Sequence, residues 1–327
     1  MTGALAAAPE DPGGIDVQLR GVVHVYPSPD GDVAALRGVD LDVDAGETVA
    51  LLGPSGAGKS TVLGLLAGNF TASAGQVVVG GEDLGRLSGA RLARLRALEV
   101  SLVVQDADRN LLPYATAAEN VWFAQQGARG HGARPTLEPV DLLDRFGLAD
   151  VAGSPVGRLA AGQRQCVAVA TGVASQPRLL LVDEPTSRLE PAARARVVDL
   201  LLAVGEQLGT TVVVVTHDPE VARRLGRTVT ISAGRVGAEG RSGADHVLVG
   251  RDGLLQLPED VLDLLPPGSL VEVRRVGPAV EVRRIDAEAG GDGHDVRDRR
   301  ARGHDARGHD AGPPGGRRRP GGDEEET

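Results

Sequence analysis

Eight consecutive residues, Gly53, Pro54, Ser55, Gly56, Ala57, Gly58, Lys59 and Ser60, fit the spacing G-x-x-x-x-G-K-[ST], and Thr61 extends the loop. Glycines in that pattern let backbone N–H groups converge on phosphate oxygens at a helix N-terminus. Lys59 is then placed to bridge the β- and γ-phosphates of a nucleotide. The Ser60 hydroxyl suits Mg2+, a hard cation that keeps several waters and bridges phosphate oxygens. A second motif, Leu179-Leu-Leu-Val-Asp183-Glu184, ends an apolar run in two carboxylates. That is the edge of an α/β sheet at which ligands bind. Asp183 is expected to orient hydrated Mg2+, and Glu184 to polarise an attacking water.

Such residues need a scaffold, and the hydrophobic pattern supplies one. Alternation at Ile15, Val17 and Leu19, and again at Val39, Leu41 and Val43, predicts antiparallel strands. Residues 47–52 read as a strand entering the glycine loop and residues 60–67 as a short buried helix leaving it. Another strand is expected at 77–79, and leucines at 84, 87, 92, 95 and 98 predict one amphipathic helix over 84–98. A mostly helical insertion is placed between about 106 and 175, interrupted by the Gly- and Pro-rich stretch 127–135. Residues 179–182 and 211–215 are short apolar runs of the kind found in parallel strands covered on both faces, with 192–208 as the crossover helix. The fold class predicted is α/β: a P-loop core with an antiparallel β subdomain and a helical insertion, followed by a small β-rich C-terminal module.

With these motifs in order, the stretch from about 15 to 240 resembles the ATP-binding subunit of ABC transporters. The resemblance implies ATP and Mg2+ as cofactors, and it assigns further roles. Tyr26 stands where that family stacks an aromatic on adenine. Gln105, in Val103-Val-Gln-Asp106, matches the glutamine loop that senses Mg2+ and connects to the permease; Asn110-Leu-Leu-Pro113 and Ala118-Glu-Asn-Val121 also match. His217 occupies the switch position that contacts the γ-phosphate. Ser187-Arg-Leu-Glu190 replaces the usual Ser-Ala-Leu-Asp of the loop that crosses the dimer interface. The largest departure is Leu159-Ala160-Ala161-Gly162-Gln163 in place of Leu-Ser-Gly-Gly-Gln. In the resembling proteins this signature caps the γ-phosphate held by the opposite subunit, and Ala160 has no hydroxyl to offer. Sound ATP binding with slow hydrolysis is the expectation.

The implied partners are a membrane permease on a separate chain and a second ATP-binding subunit, in a homodimer or heterodimer at the cytoplasmic face of the membrane. The texture of the motifs most resembles subunits serving macrolide-exporter, lipoprotein-release and FtsX-like permeases. A soluble regulatory ABC ATPase with a DNA- or protein-binding C-terminal module is the alternative.

Composition bounds these readings. The 327 residues carry a net charge of −10, which argues against a general nucleic-acid or anionic-membrane surface. No apolar run approaches the roughly 18 residues of a membrane span, and residues 1–8 lack the regions of a signal peptide. Cys166 is the single cysteine, so no intrachain disulfide forms and a reducing compartment is the simplest expectation. Residues 1–14 read as a loose leader. Residues 245–285 resemble the swapped-hairpin modules of AbrB-type regulators, and the mix of Arg274, Arg275, Arg283 and Arg284 with Glu272 and Glu281 favours dimerisation or docking over DNA binding. From 286 onward the chain is Gly-, Pro- and charge-rich, including His294, His304 and His309, and is expected to be disordered.

Overall fold

A computed structural model of the chain describes residues 13–29, 31–132, 137–241, 244–247, 257, 259–266 and 268–285. The expected leader (to residue 12) and tail (from 286) lie outside the described residues, as does the turn expected at Asp252-Gly253. The chain divides into two units, up to Asp263 and from Leu264.

The first unit runs β1 (Val17–Tyr26), β2 (Val33–Val43), β3 (Thr48–Leu52), α1 (Lys59–Leu66), β4 (Ala74–Val79), β5 (Glu82–Asp83), α2 (Gly89–Leu98) and β6 (Val100–Val103). Three helices follow, α3 (Ala117–Gly130), α4 (Pro139–Arg145) and α5 (Ala161–Gly172). The chain then returns through β7 (Leu179–Asp183), α6 (Pro191–Leu208), β8 (Thr211–Thr216), α7 (Pro219–Arg224), β9 (Arg227–Ser232), β10 (Arg235–Arg241) and β11 (Ala244–Val247). Helix α8 (Glu259–Leu264) reaches the boundary between the units.

Two sheets result. The smaller, in order β2-β1-β4-β5, is antiparallel, with Val17 opposite Val43, Leu19 opposite Leu41 and Val22 opposite Val39, all six buried. The larger has the order β11-β10-β9-β3-β8-β7-β6. From β9 to β6 its strands are parallel. Their apolar runs are explained by burial on both faces. Leu180, Val182, Val212 and Val214 pack into one core with the helices of the insertion, α6 and α7. Leu179, Leu181, Val213 and Val215 face the other core, shared with α1 and the antiparallel sheet. Period-2 geometry thus divides each strand between two cores.

Two helices differ from expectation. The leucine spacing from Leu84 does not make one helix: Leu84–Arg86 is a single 3-10 turn, with the Asp83 carboxylate accepting from Gly85 N. Leu87 is extended, and Ser88 starts α2 by accepting from Arg91 N. Short polar side chains that bond nearby N–H groups won over periodicity. Helix α3 runs on through Gly127 to Gly130, into the first residues of the stretch 127–135 where a break was expected. Its start is fixed by a capping box in which Thr116 and Glu119 each accept from the other's N–H. Tertiary contacts carry the glycine: Ala128 is buried, and Gln125 donates to Leu137 O.

Gly13 and Gly14, read from composition as part of a leader, pack against the core. Arg178 Nη2 donates to Gly14 O at 2.8 Å. Strand β11 pairs with β10 and extends the large sheet. The second unit's described residues form an antiparallel hairpin of β12 (Val271–Val276) and β13 (Ala279–Arg284), turning at Gly277-Pro278. No helix among the described residues is long and apolar enough to cross a membrane.

Candidate functional site

Strands β3, β7 and β8 end on the same edge of the parallel sheet, so the loops that follow them are neighbours. The loop after β3 contains the glycine motif. At Gly58 the backbone takes φ +99°, and an added Cβ would stand 2.6 Å from Ala35 O. At Gly53 a Cβ would meet Ile231 O at 2.0 Å. Only glycine fits these positions. Lys59 and Ser60 open α1, where N–H groups lack intrahelical acceptors. Lys59 is buried, and its Nζ donates to Gly53 O at 2.7 Å and to Pro54 O at 2.8 Å. Burial pulls its pKa below the ordinary lysine value, while the fields of Glu184 and Asp183 oppose that shift.

On the facing side, Ser60 Oγ donates to Asp183 Oδ1 at 3.2 Å. Burial pushes the Asp183 carboxyl above the usual range; the Ser60 hydrogen bond and the charges of Lys59 and Arg109 pull the other way, and Glu184 adds to the rise. Glu184 takes a left-handed backbone, φ +46°, and its N–H donates to Val215 O at 3.0 Å. That strain aims a largely buried carboxylate at His217, whose Nδ1 lies 2.8 Å from Glu184 Oε2. The hydroxyl of Ser60 and the carboxylate of Asp183 are hard oxygen donors already in contact, a set that fits Mg2+.

Lys59, Ser60, Asp183, Glu184 and His217 therefore converge. Tyr26 joins their rim: its hydroxyl is 3.3 Å from Thr61 Oγ1, and its ring stands 4.6 Å from His24 and 6.0 Å from Phe70. Gln105 lies half-buried just beyond β6, the strand beside β7. Ala160, Gly162 and Gln163 are elsewhere. They line a cavity of about 690 Å³ with Cys166, Glu190 and Ala193, and no residue of the phosphate loop contributes to it. Gln163 Oε1 accepts from Ala160 N at 3.1 Å, but Ala160 has no oxygen to return the cap. A Cβ on Gly162 would stand 2.5 Å from the Cβ of Ala193. Burial raises the Cys166 thiol to about 11, which keeps it unreactive.

Three arginines without an assigned role also belong to this region, Arg188 from the loop 187–190 and Arg109 and Arg194 from outside the motifs. Arg109 contributes to the field at Asp183. Arg188 reaches Asp106 at 4.0 Å, and Arg194 pairs with Asp218 at 2.7 Å. No spacing rule singles out Arg109 or Arg194.

Residues 36–187 match the family described as ABC transporter, and residues 155–223 match one described as AAA domain, putative AbiEii toxin, Type IV TA system. The lipoprotein-releasing system ATP-binding protein LolD of Anaeromyxobacter dehalogenans is 41% identical over 232 residues, which are 70% of this chain and 96% of that protein. The chain belongs to the ATP-binding proteins of ABC transporters. It is thus an ATPase of this family, with the mixed α/β cassette fold. The methionine import ATP-binding protein MetN of Caulobacter vibrioides is 41% identical over 211 residues, 64% of this chain; the chain spans 63% of that relative's length. Among solved structures, a dimeric ATP-binding cassette in a post-hydrolysis state bound to ADP and Pi matches with a TM-score of 0.62 and 31% identity. It covers 70% of this chain and 99% of that one. In this ABC cassette the cavity beside Ala160, Gly162 and Gln163 is lined without any residue of the phosphate loop.

Proposed function

We propose that this cassette dimerises on Mg-ATP, hydrolyses it and drives a separate membrane permease of the exporter or FtsX-like kind, from the cytoplasmic face. The observation that carries this reading is the convergence of Lys59, Ser60, Asp183, Glu184 and His217 at the ends of β3, β7 and β8. The glycine loop and Lys59 bind the phosphates, and Tyr26 packs on adenine. Ser60 and Asp183, with Gln105 as a further ligand, would hold Mg2+, and the ion would supply positive charge against that developing on the phosphates. Glu184 takes the proton of the attacking water, held in position by His217. The cap comes from Ala160, Gly162 and Gln163 of a second subunit, identical or related.

The permease surface we assign to the helical insertion. Tyr114, Trp122 and Phe123 are exposed there, half of the six aromatic residues in the chain. Apolar rings facing water in so aromatic-poor a protein mark a contact surface. The C-terminal module is proposed to serve dimerisation or docking. One face of its hairpin pairs Glu272 with Arg274 and Glu281 with Arg283, which leaves little net charge for nucleic acid.

ATPase turnover of the purified chain, alone and with its co-encoded permease, tests the proposal. Stimulation by the permease, abolished by Glu184→Gln, is the expected result; turnover unchanged by Glu184→Gln would overturn it.

A further inference from the structure

Arg194 occupies the first turn of the 18-residue helix α6, where its backbone N–H donates to Glu190 O at 2.9 Å. A cation at that end opposes the helix dipole. Its Nε is also buried without an acceptor among the described residues. Local physics is therefore against an arginine here, and one contact compensates. Arg194 Nη1 donates to Asp218 Oδ2 at 2.7 Å, with both side chains mostly shielded from water.

Asp218 has no freedom left once that bond is made. Its Oδ1 accepts from Glu220 N at 2.9 Å and from Val221 N at 3.4 Å, and its own N–H donates to Thr216 Oγ1 at 3.1 Å. The residue before it is His217, which meets Glu184 at 2.8 Å. The residue that opens α6 is Glu190, the last of the loop Ser187-Arg-Leu-Glu190. Arg194 is thus a side-chain link from the helix behind that loop to the loop carrying His217.

We propose that Arg194 is a positioning residue for hydrolysis: through Asp218 it holds His217 against Glu184, and it ties that alignment to the position of loop 187–190. The proposal rests on the ATPase reading of Glu184 and His217. It assigns Arg194 no contact with nucleotide, so its removal acts on turnover and leaves binding alone.

The test uses the purified full chain, steady-state ATPase, affinity for a fluorescent ATP analogue and thermal melts. Arg194→Met, which keeps the stem and removes the charge, should lower kcat by about tenfold with KM and analogue affinity within about twofold. Arg194→Lys should recover part of kcat. Asp218→Asn should match the Met variant, and the double variant should be no worse than either single, because both break one link. Unchanged kcat in Arg194→Met overturns the proposal, as do multiplying losses in the double variant. A kcat loss that comes with equally weakened affinity and a lowered melting temperature also overturns it. His217→Ala separates the two levels: normal turnover there sinks the ATPase reading of the pair, whereas an inactive His217→Ala beside a normal Arg194→Met sinks only the role of Arg194.

Discussion

Two helix N-termini in this chain serve one proposed site, and they are built differently. The phosphate loop sits at the start of α1, a helix with seven of eight residues buried, and its glycines are dictated by atoms of the same chain: Ile231 O behind Gly53, Ala35 O behind Gly58. The signature segment sits at the start of α5, with Ala160 and Ala161 exposed and only the Gln163 half of its cap in place. One end is determined by packing within the subunit. The other presents its N–H groups outward, where the matching cassettes are dimers. On the proposed reading the loop holds nucleotide within one subunit, and the signature acts only against a second.

Removing the proposed base should break the comparison most sharply. Glu184→Gln keeps the shape of the site and should lower turnover by roughly 10³, within the range for a general base, while ATP affinity is retained. Under Mg-ATP the variant should elute as a dimer, since closure is no longer followed by hydrolysis. A variant that stays monomeric with ATP would mean that the α5 terminus never meets the loop of a second subunit. Restoring the hydroxyl is the next largest step. Ala160→Ser should raise kcat by about 10², the worth of one donor to a developing anion, with binding unchanged. An Ala160→Ser variant that turns over at the parental rate, together with ordinary parental turnover in the presence of the permease, would show that the missing serine costs nothing.

The same contrast sets what a reader of the sequence can see. Strands β3, β7 and β8 were legible because each is a short apolar run, and the parallel sheet buries both faces of such runs. The glycine loop was legible because its φ angles exclude other residues. The start of α2 was not: Leu84 and Leu87 keep helical spacing, but the Asp83 side chain closes a 3-10 turn that periodicity does not register. The pairs Arg188–Asp106 and Arg194–Asp218 join segments separated in the chain, and Arg194 stands in no motif. The signature was readable as a departure, yet in a single subunit Ala160 is exposed at the edge of a cavity beside α6. What it faces in a dimer depends on a surface the chain does not bring to itself.

Stability should separate the two termini as well. At Gly58 an alanine must accept a left-handed φ and a backbone carbonyl inside contact distance. Gly58→Ala should therefore cost about 2 kcal/mol of unfolding free energy. Ala161→Gly, in the exposed first turn of α5, should cost under about 1 kcal/mol. Denaturant melts of the nucleotide-free protein measure both. Equal losses at the two sites would remove the distinction between a loop fixed by its own subunit and a cap left open.

The smallest effect concerns how much of the ATP grip lies outside the phosphates. Tyr26 is 40% exposed, and His24 and Phe70 flank its ring, so the side chain is pre-positioned before any base arrives. Stacking on such a ring is worth about 1 kcal/mol, roughly a fivefold change in affinity. Tyr26→Ala should weaken ATP binding by that amount. Tyr26→Phe should change it less than about twofold, because the hydroxyl makes one partly solvated bond, at 3.3 Å to Thr61. Isothermal titration with ATP and with inorganic triphosphate distinguishes the contributions. Triphosphate lacks a base, so its affinity should be the same in all three proteins if the ring acts on adenine alone. Should Tyr26→Ala weaken triphosphate as much as ATP, the ring would be supporting Thr61 and the start of α1, and the aromatic trio would belong to the phosphate loop's own packing.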